Sequence, residues 1–165
     1  MSADGVLTAG ERRLIEEAAG MYPTARAAAV DALKIVQEAR GWVSDDALHA
    51  VSEVLGIPPA DLDNLATFYN LIFRRPVGDH VILLCDSVSC WVMGYEAIRA
   101  KLGELYGIDF GQTSADGRFT LLPIPCLGAC DGAPALMIDE DLHTNVDPDG
   151  LAELLDAYPA KGGGS

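Results

Sequence analysis

The apolar pattern of this chain changes its period once, at Pro76-Val77-Gly78, and that break limits the possible folds more than any other feature. Before it, apolar residues recur every three or four positions, as on one side of a helix. After it come short continuous runs, first Val81-Ile82-Leu83-Leu84, which fit a strand buried on both faces. With 165 residues the chain has room for one domain and a helical annex. The expected organisation is a helical subdomain over residues 1–76, a second domain over 77–160 and a flexible, glycine-rich tail over 161–165.

Four helices are expected in the first part. One spans residues 8–20, with Leu14, Ile15 and Ala18 inward. Thr24 opens the next, which runs to about Arg40. Val30, Leu33 and Val36 or Gln37 mark its inner stripe, and Gly41 stands at its C-terminal stop. Ser44 caps the third, where Asp45 and Asp46 suit the positive end of the helix and Leu48, Val51 and Leu55 face inward before Gly56. Pro58-Pro59 starts the fourth, with Leu62, Leu65, Ala66 and Tyr69 on one face, and both Phe68 and Tyr69 are expected in the core, with contact to a partner as the alternative.

In the second part a strand at Val81 is followed by a helix over 94–106, with Ile98, Leu102 and Leu105 inward. A strand follows over 118–122, then a hairpin of 135–138 with 142–146. Asp147-Pro148 opens a last helix carrying Leu151, Leu154, Leu155 and Tyr158. The order is β-α-β and then β-β-α. The first half requires a crossover and hence parallel strands. A small mixed sheet with a helix on each side is the compact solution, the thioredoxin-like arrangement. The fold class is α/β, or α+β when the N-terminal helical bundle is counted.

Twenty-five acidic residues against 11 basic ones give a net charge of −14. Such a surface does not neutralise phosphates, which argues against nucleic acid, and it repels an anionic membrane. The N-terminus shows no basic region followed by an apolar one, so no secretory signal is expected. The longest apolar run is far shorter than the roughly 18 residues of a membrane span. A cytosolic, reducing setting follows, in which four cysteines are too few for a disulfide scaffold.

Those cysteines come in two pairs: Cys85 and Cys90, with four residues between them, and Cys126 and Cys130, with three. Each pair lies in a loop just after an expected strand. Four thiolates suit an iron–sulfur site, and the spacing also suits structural zinc. Two disulfides or unrelated free thiols are further readings of spacing alone. A dithiol oxidoreductase is disfavoured, because no Cys-x-x-Cys occurs. His49, His80 and His143 match no metal spacing and are expected at the surface or as caps. Trp42 and Trp91 are expected in core or interface packing, Arg74-Arg75 as a basic island, and Asp139-Glu140-Asp141 as a solvated hairpin tip. Gly132-Ala133-Pro134 reads as a plain turn leading into a strand.

Taken together, Ala66-Thr67-Phe68-Tyr69, Pro76-Val77-Gly78, Cys85-Asp86-Ser87-Val88-Ser89-Cys90 and Cys126-Leu127-Gly128-Ala129-Cys130-Asp131-Gly132-Ala133-Pro134 resemble one family, the thioredoxin-like [2Fe–2S] subunit of bacterial respiratory complex I. The resemblance runs from about Thr24 to Tyr158. It implies one [2Fe–2S] cluster held by Cys85, Cys90, Cys126 and Cys130, and no catalytic residue on this chain. It implies a larger flavin-binding, NADH-oxidising partner that carries FMN and the NADH site, within NADH:quinone oxidoreductase. It further implies a peripheral place on the cytoplasmic side of the inner membrane, beside other complex I subunits and without membrane insertion. An equivalent subunit of an NAD-linked hydrogenase or formate dehydrogenase is the alternative host, and a structural zinc-binding interaction module is the alternative of another class. The chain has no Gly-x-Gly-x-x-Gly following a strand, so alone it is not expected to turn over NADH.

Overall fold

A computed structural model describes residues 5–161. Residues 1–4 and 162–165, which include most of the expected tail, lie outside the described residues. The chain divides between Pro76 and Val77 into two compact units, each with its own core.

The first unit holds α1 (Ala9–Met21), α2 (Ala29–Arg40), α3 (Asp45–Leu55) and α4 (Pro59–Phe68). Local chemistry sets most of their ends. The Thr8 hydroxyl accepts from the Glu11 N–H at 3.2 Å, while the Glu11 carboxylate accepts from the Thr8 N–H at 2.7 Å. This reciprocal box satisfies two donors that a helix start leaves open. Ser44 Oγ accepts from the Ala47 N–H at 3.2 Å. Gly41 and Gly56 end α2 and α3 at φ of 80° and 64°, a region glycine enters without the steric cost of a Cβ.

Several inward faces differ from expectation. Leu14 is exposed, and Ile15, Ala18 and Glu11 are the buried residues of α1. Regular helix in α2 begins at Ala29, because residues 24–28 form tighter turns whose N–H groups reach back three residues. Ala29, Ala32, Leu33 and Val36 then face inward, and Val30 is only half-buried. Gln37 does not pack as a core residue. Its side chain donates to Leu71 O at 2.9 Å and accepts from the Phe73 N–H at 2.6 Å, fastening the segment after α4. Phe68 and Tyr69 are not in the core either, Phe68 being 82% exposed. The inner face of α4 is Leu62 and Ala66, and Phe68 stands about 200° further round the helix than Ala66.

The second unit holds β1 (His80–Cys85), α5 (Val88–Val92), α6 (Tyr95–Tyr106), β2 (Gln112–Thr113), β3 (Phe119–Ile124), β4 (Leu136–Ile138), β5 (Asp141–His143) and α7 (Leu151–Asp156). The strands form one sheet in the order β2-β3-β1-β4-β5. β1 and β3 are parallel and the other three pairings are antiparallel. Ile82, Leu84, Phe119, Leu121, Leu136 and Ile138 form one inner face. Ile98 and Leu102 of α6 and Leu151 and Leu155 of α7 pack into that same cluster. Both helices therefore cover one face, rather than one on each side as the element order suggested. Leu105 is exposed, and Tyr106 packs edge-to-face against Phe119 with ring centroids 4.9 Å apart. The short α5 and β2 lie where only loops were expected.

Candidate metal centre

Parallel pairing brings the ends of β1 and β3 to one edge of the sheet. β1 finishes at Cys85, whose register partner Ile124 lies two residues before Cys126. Because β4 runs the opposite way, its start lies at this edge too. Leu136 pairs with Leu84, and the Cys85 N–H donates to Ala135 O at 3.2 Å. Cys130 opens a single 3-10 turn, Cys130–Gly132, just before β4. The topology thus brings all four cysteines to one edge: Cys85 at the end of β1, Cys90 in α5, Cys126 in the loop after β3 and Cys130 in the turn before β4.

All four are free thiols, but their surroundings differ. Cys85 and Cys90 are buried, whereas Cys126 and Cys130 are exposed. α5 is little more than one turn, and Cys90 is its buried residue. Cys85, Cys90, Ala133 and Ala135 form a small apolar cluster of their own. Burial pushes the Cys90 thiol above its ordinary value. The Ala135 backbone opposes that shift, while Cys85, by hydrogen bond and by charge, and Cys130, by charge, add to it. The Cys85 and Cys130 sulfurs are therefore close enough to act on Cys90. Cys126 Sγ accepts from the Gly128 N–H at 3.3 Å, with Gly128 at φ 74°, where a side chain would be strained.

Among the described residues, no three His, Cys, Asp or Glu side chains are grouped so as to hold a single metal ion. A two-iron cluster asks for a different arrangement, two cysteine pairs at its two ends. The donor set fits such a group: four free thiols at one edge, two of them shielded from water, with backbone N–H groups turned toward sulfur.

The turn at Cys130 is tied to the chain leaving β5. The Asn145 N–H donates to Gly132 O at 2.6 Å, and the Val146 N–H donates to Pro134 O at 3.0 Å. Gly132-Ala133-Pro134 thus leads into β4 with its Gly132 and Pro134 carbonyls paired to the chain beyond β5. Val88, Trp91, Val92 and Met93 are all exposed, Trp91 to 57%. These apolar residues flank the buried Cys90 along the chain, so of the two places expected for Trp91 the core is not the one it takes.

The other residues expected at the surface fare differently. His80 is buried, with Nδ1 2.6 Å from Asp139 Oδ2 and Nε2 3.0 Å from Pro159 O. Both ring nitrogens thus lie within hydrogen-bond reach of an oxygen from another element. Asp139 also accepts from the Val81 N–H at 3.0 Å, and Asp141 accepts from the Tyr158 hydroxyl at 2.9 Å. Of the expected solvated tip, Glu140 remains simply exposed. His143 lies 2.8 Å from the Tyr158 hydroxyl, and His49 is exposed. Arg74 is no free basic island. It donates to Asp45 at 2.6 Å, to Asp63 at 3.1 Å and to the Val43 carbonyl.

The sequence profile of the thioredoxin-like [2Fe-2S] ferredoxin family matches residues 15–159. The chain is 56% identical over 153 residues to the E subunit of NADH-quinone oxidoreductase from Pseudomonas aeruginosa, covering 93% of this chain and 92% of the relative. To the corresponding protein of Escherichia coli K12 it is 54% identical over 152 residues, covering 92% of each. Among solved structures it is similar to an NAD+-reducing [NiFe]-hydrogenase in the air-oxidized state, with a TM-score of 0.64 and 29% identity. That match covers 76% of this chain and spans 22% of the hydrogenase chain.

Proposed function

The chain belongs to the thioredoxin-like [2Fe-2S] ferredoxin family, and on that premise we propose that it is the cluster-bearing electron-transfer subunit of the NADH-oxidising module of an NADH:quinone oxidoreductase. Its identity of 54–56% to relatives named as a component of NADH-quinone oxidoreductase, over almost their whole length, carries the reading. The similarity to a hydrogenase extends over a smaller share of this chain at lower identity, which leaves a hydrogenase or formate dehydrogenase as the less supported host.

In this reading Cys85, Cys90, Cys126 and Cys130 hold one [2Fe–2S] cluster, which when bound takes up and returns a single electron. The residues of this chain set the terms. Each cysteine binds as a thiolate, so loading releases protons, and burial makes the Cys90 thiol resist that loss until iron arrives. The Gly128 N–H at Cys126 stabilises negative charge on sulfur. Asp86 and Asp131 stand beside ligand cysteines and disfavour an added electron.

FMN and the NADH site belong to the larger flavin-binding partner. The exposed Val88, Trp91, Val92 and Met93 suit burial against such a partner close to the cluster. Among the described residues no helix is long and apolar enough to cross a membrane. We place the chain, through its complex, on the cytoplasmic side of the inner membrane.

The deciding measurement is metal and sulfide content together with a visible spectrum of the purified chain. Two irons and two sulfides, with a colour bleached by dithionite, are expected. One zinc and no colour would replace this reading with a structural zinc module. Cys130→Ser is expected to lose the cluster or alter its reduced EPR spectrum, and an unchanged spectrum would remove Cys130 from the ligand set. Co-purification of a flavin-containing chain from native membranes tests the host.

A further inference from the structure

We propose that Gly132 and Thr144 are a size-matched pair of positioning residues that fix the place of the Cys130 thiolate, an inference that rests on the reading of Cys130 as a cluster ligand. Gly132 closes the turn that Cys130 opens, its N–H donating to Ala129 O at 3.1 Å. A Cβ built on Gly132 would lie 2.6 Å from Thr144 Cβ, with Thr144 Cγ2 at 3.1 Å and Oγ1 at 3.2 Å. The nearest of these atoms is attached directly to the Thr144 backbone, so no rotamer of Thr144 makes room.

The Thr144 backbone is itself held. Asn145, at φ 52°, donates to Gly132 O at 2.6 Å, and Val146, which is buried, donates to Pro134 O at 3.0 Å. The chain leaving β5 therefore lies flat against Gly132 and Pro134, and the Thr144 side chain fills the place that a side chain at 132 would need.

Gly41, Gly56, Gly94, Gly107 and Gly128 adopt positive φ, which gives each a backbone reason to be glycine. Gly132 is not among the positive-φ glycines. Alanine would be acceptable to its backbone and is excluded by Thr144. The volume of one side chain, beyond the hairpin, thereby sets where the Cys130 sulfur stands. Groups that orient a metal ligand in this way typically govern metal affinity by about 10–100-fold.

The test uses the full chain loaded with iron and sulfide, and reads the reduced EPR g-values and the rate of iron loss to a chelator. Gly132→Ala is expected to shift the g-values and to speed iron loss by roughly tenfold or more. The double variant Gly132→Ala/Thr144→Gly is expected to restore both readings. Gly132→Ala/Thr144→Ala keeps the colliding Cβ and is expected not to restore them. A Gly132→Ala chain with unaltered g-values and iron retention overturns the inference, and so does a Thr144→Gly partner that rescues no better than Thr144→Ala. If Gly132→Ala yields no folded protein, recovery of a folded, loaded chain in the Thr144→Gly double supports the inference and its continued absence overturns it. An unaltered chain that takes up no iron refutes the ligand reading first, before any variant is made.

Discussion

Replacing Glu11 by glutamine is expected to destabilise the N-terminal unit in a manner that depends on pH. The Glu11 side chain is 6% exposed. Its carboxylate accepts from the Thr8 N–H at 2.7 Å and the Thr8 hydroxyl at 2.9 Å. Arg40 Nε and NH2 each donate to it at 2.7 Å. The Arg40 guanidinium is the main reason that the Glu11 pKa falls from 4.5 to about 2, and desolvation opposes the fall. A pKa depressed on folding gives stability that is present above the unfolded value and is lost as pH falls through the folded one. The fall from 4.5 to about 2 corresponds to about 3 kcal/mol at pH 7 and about 1.4 kcal/mol at pH 3. Glutamine keeps the shape, loses the charge and turns an N–H group toward the guanidinium donors. The cost of Glu11→Gln should therefore shrink by about 2 kcal/mol between pH 7 and pH 3. The chain has two tryptophans, so in a Trp91→Phe background the fluorescence of Trp42 follows this unit alone through urea unfolding. A cost that is the same at both pH values would refute the argument.

Three further outcomes are expected. Gly78→Ala would place a Cβ 2.8 Å from Gly117 O and 3.0 Å from the carbonyl carbons of Arg118 and Phe119, all backbone atoms, so a loss of about 1–3 kcal/mol should appear as a lowered Tm. His80→Phe removes the ring's hydrogen bonding to Asp139 and the Pro159 carbonyl, and a loss of about 1–3 kcal/mol in urea titrations is expected. Asp131→Asn removes a charge beside Cys130. At about 10 Å and an effective dielectric of about 20, one charge is worth about 1.7 kcal/mol, or about 70 mV for one electron. Screening reduces this at an exposed site, so a rise of a few tens of mV in the midpoint potential is expected by redox titration.

What the sequence disclosed follows the range of the interactions involved. Ser44, Gly41, Gly56 and Pro58-Pro59 act within a turn of themselves, and the helix ends they mark stand where those residues indicated. The run Val81-Ile82-Leu83-Leu84 identified the central strand, whose six residues are all buried. Faces were harder to read, because hydrophobicity favoured Leu14, Val30 and Leu105 while packing selected Glu11, Ala29 and Ala32. Glu11 is buried because Arg40, far along the chain, neutralises it. The same holds for His80, whose partners Asp139 and Pro159 come from other elements. At the candidate centre, the spacing of the cysteines was visible, and the order of strands implied that the two loops share an edge. The burial of one pair and exposure of the other was not, since it depends on α5, a helix too short to show a period. Nor was the contact between Gly132 and Thr144, which exists only once the hairpin has closed.

The edge that gathers the cysteines also dictates an order of assembly in the cell. While the ribosome has delivered only Cys85 and Cys90, β1 has neither of its neighbours, and nothing yet shields those two thiols from water. The neighbours arrive with β3 and β4, and the residues that brace the second bend arrive later still, beyond β5. On the reading of the four cysteines as ligands, a complete site therefore exists only in a nearly finished polypeptide.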